Sequence, residues 1–87
     1  MLRRRTKLAR VLQHLAIVGS LNRFEAEKIG DHTLPQTVLK LHTTHGLTVA
    51  RQEEVVHGYG GNATICTRYW LEAEAREQAL KLLAFDE

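Results

Sequence analysis

Long apolar runs are missing from this sequence. No stretch of 18 apolar residues occurs in its 87 positions, so no membrane-spanning helix is expected. Arg3, Arg4 and Arg5 open the chain, but the segment after them is interrupted and amphipathic. That is not the apolar core of a signal peptide, and the expectation is a cytoplasmic protein. Cysteine is nearly absent as well. Cys66 stands alone, so no internal disulfide can form, in keeping with a reducing compartment. There is a single proline, Pro35, and there is no internal repeat, linker or low-complexity segment.

Signatures of catalysis are also missing. The chain has no Ser-His-Asp pattern and no paired carboxylates on one face, and "HGYGG" at 57–61 lacks the Lys-Ser/Thr and following helix of a phosphate loop. An enzyme is not expected, nor is a cofactor. His42 and His45 have the spacing of helical metal ligands, and Cys66 offers a third group, but no fourth ligand is apparent. Cys66 lies between Ile65 and Thr67 and reads as a small buried apolar side chain. No metal is expected.

What is present matches an ordinary globular domain. Apolar residues make up 44% and charged residues 25% of the chain, which argues against disorder and for one domain spanning 1–87. Net charge is only +2, but its distribution is uneven. Residues 1–10 hold Arg3, Arg4, Arg5, Lys7 and Arg10 with no acid. Residues 72–87 hold Glu72, Glu74, Glu77, Asp86 and Glu87 against Arg76 and Lys81. A polyanion would therefore meet one end of the chain in preference to the other.

Leu8, Val11, Leu12, Leu15 and Val18 recur at three- and four-residue steps, predicting a first helix over 7–18 behind a basic arm at 1–6. Asn22 followed by Glu25 is a capping-box start for a second helix that ends at Gly30. Asp31 to Leu34 form a corner, with Leu34 held extended by Pro35. Pro35 opens a third helix that Gly46 stops, completing a helical pair over 22–46. Leu34, Val38 and Leu41 point inward in this third helix, leaving Gln36, Thr37, Lys40, Thr43 and Thr44 outward. After Gly46 the pattern turns to β-branched and aromatic residues. "LTVARQEEVV" and "ATICTRYWL" flank "HGYGGN", predicting a β-hairpin over 47–71. Its register stays open, because Leu47, Val49, Val55 and Val56 do not share one face. A last helix is expected over 72–87.

Three helices, a two-stranded hairpin and a C-terminal helix form the α+β layout of a winged helix-turn-helix. In that layout the third helix is free to enter a DNA major groove, and Gln, Thr and Lys can bond base edges or phosphates. Glycines at the hairpin tip allow close backbone approach, while His57, Tyr59 and Asn62 offer donors. Arg3, Arg4 and Arg5 suit a minor-groove arm. Arg51 and Arg68 fall on the strands, where they either touch phosphates or pair with Glu53 and Glu54.

The segment "AEKIG", Ala26 to Gly30, resembles the first helix of many helix-turn-helix repressors. The stretch from Ser20 to Leu71 is similar to small winged helix-turn-helix proteins of phages and prophages. The segment from Gly30 to Val38 is about two residues longer than in the tightest helix-turn-helix proteins, which favours the winged form. The resemblance implies a DNA-binding regulator whose recognition helix carries Gln36, Thr37, Lys40 and Thr44 toward DNA.

The expected function is sequence-specific binding of double-stranded DNA by a transcriptional or recombination-associated regulator of a phage or mobile element, located in the host cytoplasm. The alternative is a phage-encoded interaction module of the same shape that binds and inhibits a host or defence complex. The C-terminal stripe of Ala75, Ala79, Leu82 and Leu83, with Leu80 and Phe85 beside it, suggests a homodimer through the last helix.

Overall fold

The computed structural model describes residues 6–58 and 61–84. Among them the architecture is α+β, with four helices and an antiparallel two-stranded hairpin, a layout compatible with a winged helix. Helix α1 spans Lys7–Gln13 and runs into one π-helical turn, His14–Val18. Helix α2 spans Arg23–Lys28 and α3 spans Leu34–His45. Strands β1, Ala50–His57, and β2, Ala63–Trp70, precede α4, Ala73–Ala84.

Local chemistry sets most of these boundaries. Thr6 caps α1 by accepting from the Ala9 N–H at 3.1 Å. The capping box of α2 is complete: Asn22 Oδ1 accepts from the Glu25 N–H at 2.9 Å, and Glu25 Oε1 accepts from the Asn22 N–H at 3.0 Å. Gly46 ends α3 with φ of 67°, a left-handed conformation that costs glycine nothing.

Two expectations are corrected at helix ends. Leu34 is the first helical residue of α3 rather than an extended one, so Pro35 occupies the second position of the first turn, where its missing N–H is still harmless. Val18 is 73% exposed rather than part of the apolar stripe. The π turn adds a residue to the helical repeat, as the Gly19 N–H donates to His14 O at 2.9 Å, and this rotates Val18 off the core-facing side.

The core draws on α1, α3 and α4 and on the segments that join the elements, with Leu12, Leu21, Leu34, Leu41, Leu47 and Ala79 fully covered and Leu15 nearly so. Longer-range polar contacts lock the elements together. Arg10 Nε donates to Ile29 O at 2.9 Å, satisfying a carbonyl at the end of α2. The same guanidinium lies over Gly30, where an added Cβ would meet Arg10 Nη2 at 3.1 Å. Arg76 Nε of α4 donates to Ala16 O at 2.6 Å, holding α4 against the end of the first helix. Leu21 and Tyr69 exchange two backbone bonds of 2.8 Å, which tie β2 to the segment before α2.

The hairpin register, left open by the sequence, pairs Ala50 with Trp70, Glu54 with Cys66 and Val55 with Ile65. Leu47 and Val49 lie in the connection before β1 and are buried. Val55 belongs to the opposite class, exposed beside Ile65 on one outer face. On α4, Ala75 and Ala79 are buried and Leu82 and Leu83 pack partly against the core, so most of the stripe is used within the chain. Phe85 lies outside the described residues.

Candidate nucleic-acid interface

Helix α3 contains no acid, and Gln36, Lys40, Thr43 and Thr44 are all exposed on it. Gln36 and Thr43 are seven residues apart, two helical turns, so they share one stripe, and Lys40 lies one turn from Gln36. Thr37 is the exception. It is 5% exposed, and its hydroxyl donates to Thr33 O at 3.3 Å, which places it among the core-facing residues instead of on the outer face. The cause is its place three residues after Leu34 and four before Leu41, both buried, which puts it on the edge of the core-facing stripe, and a threonine in a helix can bond the carbonyl four residues back.

Two grooves flank this stripe. One, of about 310 Å³, lies between the start of α1 and α3 and is lined by Thr6, Lys7, Leu8, Thr33, Gln36, Thr37 and Lys40. Lys7 is held there by a buried acid. Its Nζ donates to Thr33 Oγ1 at 3.0 Å and sits 3.7 Å from Asp31 Oδ1, while Asp31 is fully buried. Asp31 Oδ1 also accepts from the Thr33 N–H at 2.8 Å, forming the corner between α2 and α3, and its Oδ2 has no hydrogen-bond partner. The Lys7 charge offsets part of the cost of burying that carboxylate.

The second groove, of about 320 Å³, separates α3 from the hairpin and is lined by Pro35, Val38, Leu39, His42, Thr48, Val49, Arg51 and Tyr69. Arg51 lies over the Tyr69 ring, 5.9 Å from its centre. The stripe of α3 is thus bordered by Lys7 and Lys40 on one side and Arg51 on the other.

Arg68, by contrast, is committed internally. It donates to Glu54 Oε1 at 2.8 Å, to Ser20 Oγ at 2.7 Å and to both oxygens of Glu25 at 3.0 and 3.2 Å. Asn22 Nδ2 completes the cluster by donating to Glu54 Oε2 at 2.8 Å. Of the two uses open to this arginine, pairing with Glu54 is the observed one, and Glu25 joins it. Burial pushes the Glu25 carboxyl up, but hydrogen bonds from Arg68 and the Asn22 backbone outweigh it and leave the group below the usual carboxylate range. The Arg68 hydrogen bond, then that of Asn22, likewise holds Glu54 below that range. Burial and the neighbouring Glu54 raise the Cys66 thiol, whose Sγ lies 3.7 Å from Glu54 Oε2. These contacts join α2 to the hairpin and pair the Glu54 charge within the chain.

Other expected site residues stay apart from this patch. His57 and Asn62 are exposed at the far end of the hairpin, and seven strand steps of about 3.3 Å put them roughly 23 Å from the base of β1. The Gly58 N–H donates to Asn62 O at 2.8 Å, closing the tip. Arg3, Arg4, Arg5 and Tyr59 lie outside the described residues. His42 Nδ1 lies 3.3 Å from Leu47 O, and among the described residues no group of three or more His, Cys, Asp or Glu is placed to share a metal ion. No helix among them is long and apolar enough to cross a membrane.

Three members of the patch were not assigned to the surface of α3 from sequence. Leu39, 60% exposed, falls three residues after Gln36 and four before Thr43, a spacing that was legible. Lys7 was visible only as part of the basic N-terminal segment, and Arg51 only as a strand cation open to phosphates or to Glu53 and Glu54; packing of α1 and of the hairpin on α3 brings both to its flanks. No known protein family, curated protein or solved structure matches the chain.

Proposed function

We propose that this protein binds duplex DNA in a sequence-dependent manner as a winged helix-turn-helix, with α3 as the recognition helix. In this reading it regulates transcription or recombination of a phage or other mobile element. The observation that carries the proposal is the acid-free, exposed stripe of α3 with cations on both flanks. A helix with side chains is about 10–12 Å across and the B-DNA major groove about 12 Å wide, so a helix seated there has phosphate strands on either side. Lys7 and Lys40 suit one strand and Arg51 the other, while Gln36 and Thr43 reach base edges. The hairpin tip, with His57 and Asn62, lies beyond the groove along the backbone. A homodimer through α4 would rest on Leu80, the exposed large apolar residue of that helix, and would set two recognition helices about 34 Å apart on a palindromic site.

The test is selection of bound sequences from a random duplex pool, followed by titration of the selected site. Gln36→Ala and Lys40→Ala are expected to weaken binding to that site with melting temperature unchanged. If about five cations engage phosphates, log K falls against log salt with a slope of roughly −4 to −5. A slope near zero rejects the proposal.

One observation favours a second reading, a protein-docking module of the same shape. Val55 and Ile65, paired across the hairpin, are 58% and 67% exposed. In that reading Gln36→Ala and Lys40→Ala change no DNA affinity, and replacing Val55 and Ile65 by Thr abolishes partner binding.

A further inference from the structure

Leu39 is out of place on a hydrogen-bonding surface. On the outside of α3 it lies one turn after Gln36 and one turn before Thr43, both exposed, and it forms the edge of their stripe that faces the groove beside the hairpin, with 60% of its surface in water. Other exposed apolar residues have different settings. Ile17 and Val18 lie on the π turn, Phe24 is covered by the Arg23 guanidinium at 4.7 Å, and Leu80 is on α4. Leu39 is not among the residues of the buried core or those packed against it.

A major groove offers one apolar group for such a side chain, the 5-methyl of a pyrimidine. Gln36 narrows the choice, since its amide matches the N6 and N7 edge of adenine. Residues three apart on a helix have Cβ atoms about 5–6 Å apart, comparable to the 3.4 Å step between bases. Both side chains therefore reach the same or the next base pair. Resting on the DNA-binding reading above, we infer that Leu39 is a specificity-determining residue that packs on a thymine methyl within an A·T pair read by Gln36. The site this protein selects contains that pair at a fixed position in each half-site.

The experiment compares the selected duplex with one in which that thymine is replaced by deoxyuridine, which removes only the methyl group. Wild-type protein is expected to lose about three- to fivefold in affinity, the effect of one buried methyl-sized group. Leu39→Ala is expected to bind the thymine duplex more weakly by a similar factor and to bind both duplexes equally, with melting temperature unchanged because the side chain is exposed. A second arm places G·C or G·5-methylcytosine at the same pair. A gain on methylation that Leu39→Ala abolishes supports the methyl contact, and equal binding opposes it. If wild-type protein binds thymine and deoxyuridine duplexes equally, the inference falls while DNA binding stands. If Leu39→Ala leaves DNA affinity untouched, Leu39 serves a protein contact instead and the inference falls. If no duplex is selected and the salt slope is zero, the DNA-binding reading falls and takes the inference with it.

Discussion

Replacing Arg68 with Met keeps the length of the aliphatic stem and removes the guanidinium. Four hydrogen bonds go with it: one to Glu54, one to Ser20 and two to Glu25. Hydrogen bonds to charged groups contribute about 1.5–3 kcal/mol each when desolvated, whereas exposed ion pairs contribute about 0.2–1 kcal/mol. The Arg68 side chain retains 28% of its exposure, so the loss falls between these limits, at about 2 kcal/mol for the whole cluster. For a domain of this size each kcal/mol moves the melting temperature by about 4–8 °C, giving a drop of about 8–16 °C at pH 7. The sign of the pH dependence follows from the two carboxylates. Their folded pKa values are depressed, so their contribution is present above the unfolded glutamate value near 4.3 and is lost as pH falls through the folded values. In the Met variant the two acids face each other without a cation, and protonation relieves them. Thermal melts followed by circular dichroism at pH 7 and pH 3.5 should therefore show a larger gap between wild type and variant at pH 7 than in acid. An equal gap at both values, or a loss under about 0.5 kcal/mol at pH 7, would refute the assignment of Arg68 as an internal cross-link. Below the variant's melting temperature, the salt slope of DNA binding should be unchanged.

Asn22→Ala removes the side-chain half of the α2 capping box and the bond to Glu54, and urea denaturation should show a loss of about 1–2 kcal/mol. Gly46→Ala meets no atom within 4 Å, so its cost is the left-handed conformation alone, about 1 kcal/mol by the same assay. Thr37→Val tests the corrected orientation: the hydroxyl bonds only its own helix, so DNA affinity in a fluorescence titration should match wild type. A tenfold loss there would mean that Thr37 faces DNA after all.

The elements most legible in the sequence are those whose boundaries are local events. Asn22 and Glu25 are three residues apart and their bonds close within one turn; Gly46 acts on its own backbone dihedral. Pro35 marks the start of α3 to within one residue, and its missing N–H is harmless at either of the first two positions. The outer stripe of α3 was readable for Gln36, Lys40, Thr43 and Thr44, since periodicity alone opposes them to Val38 and Leu41. Thr37 sits at the boundary between the two faces. There periodicity is ambiguous, and only the way α3 settles against α1 decides it.

By itself, then, the order of residues determined most helix ends to within a residue, that a glycine-tipped ribbon follows the helices, and most of the polar side of α3. Those outcomes depend on hydrogen bonds and steric limits spanning four residues or fewer. Tertiary structure alone decided that Arg68 is tied to Ser20, Glu25 and Glu54, that buried Asp31 holds Lys7 beside α3, and that Arg51 borders the other flank. A charged side chain can satisfy any of several distant partners equally well, and the choice is made only when packing of the apolar core brings one set within reach.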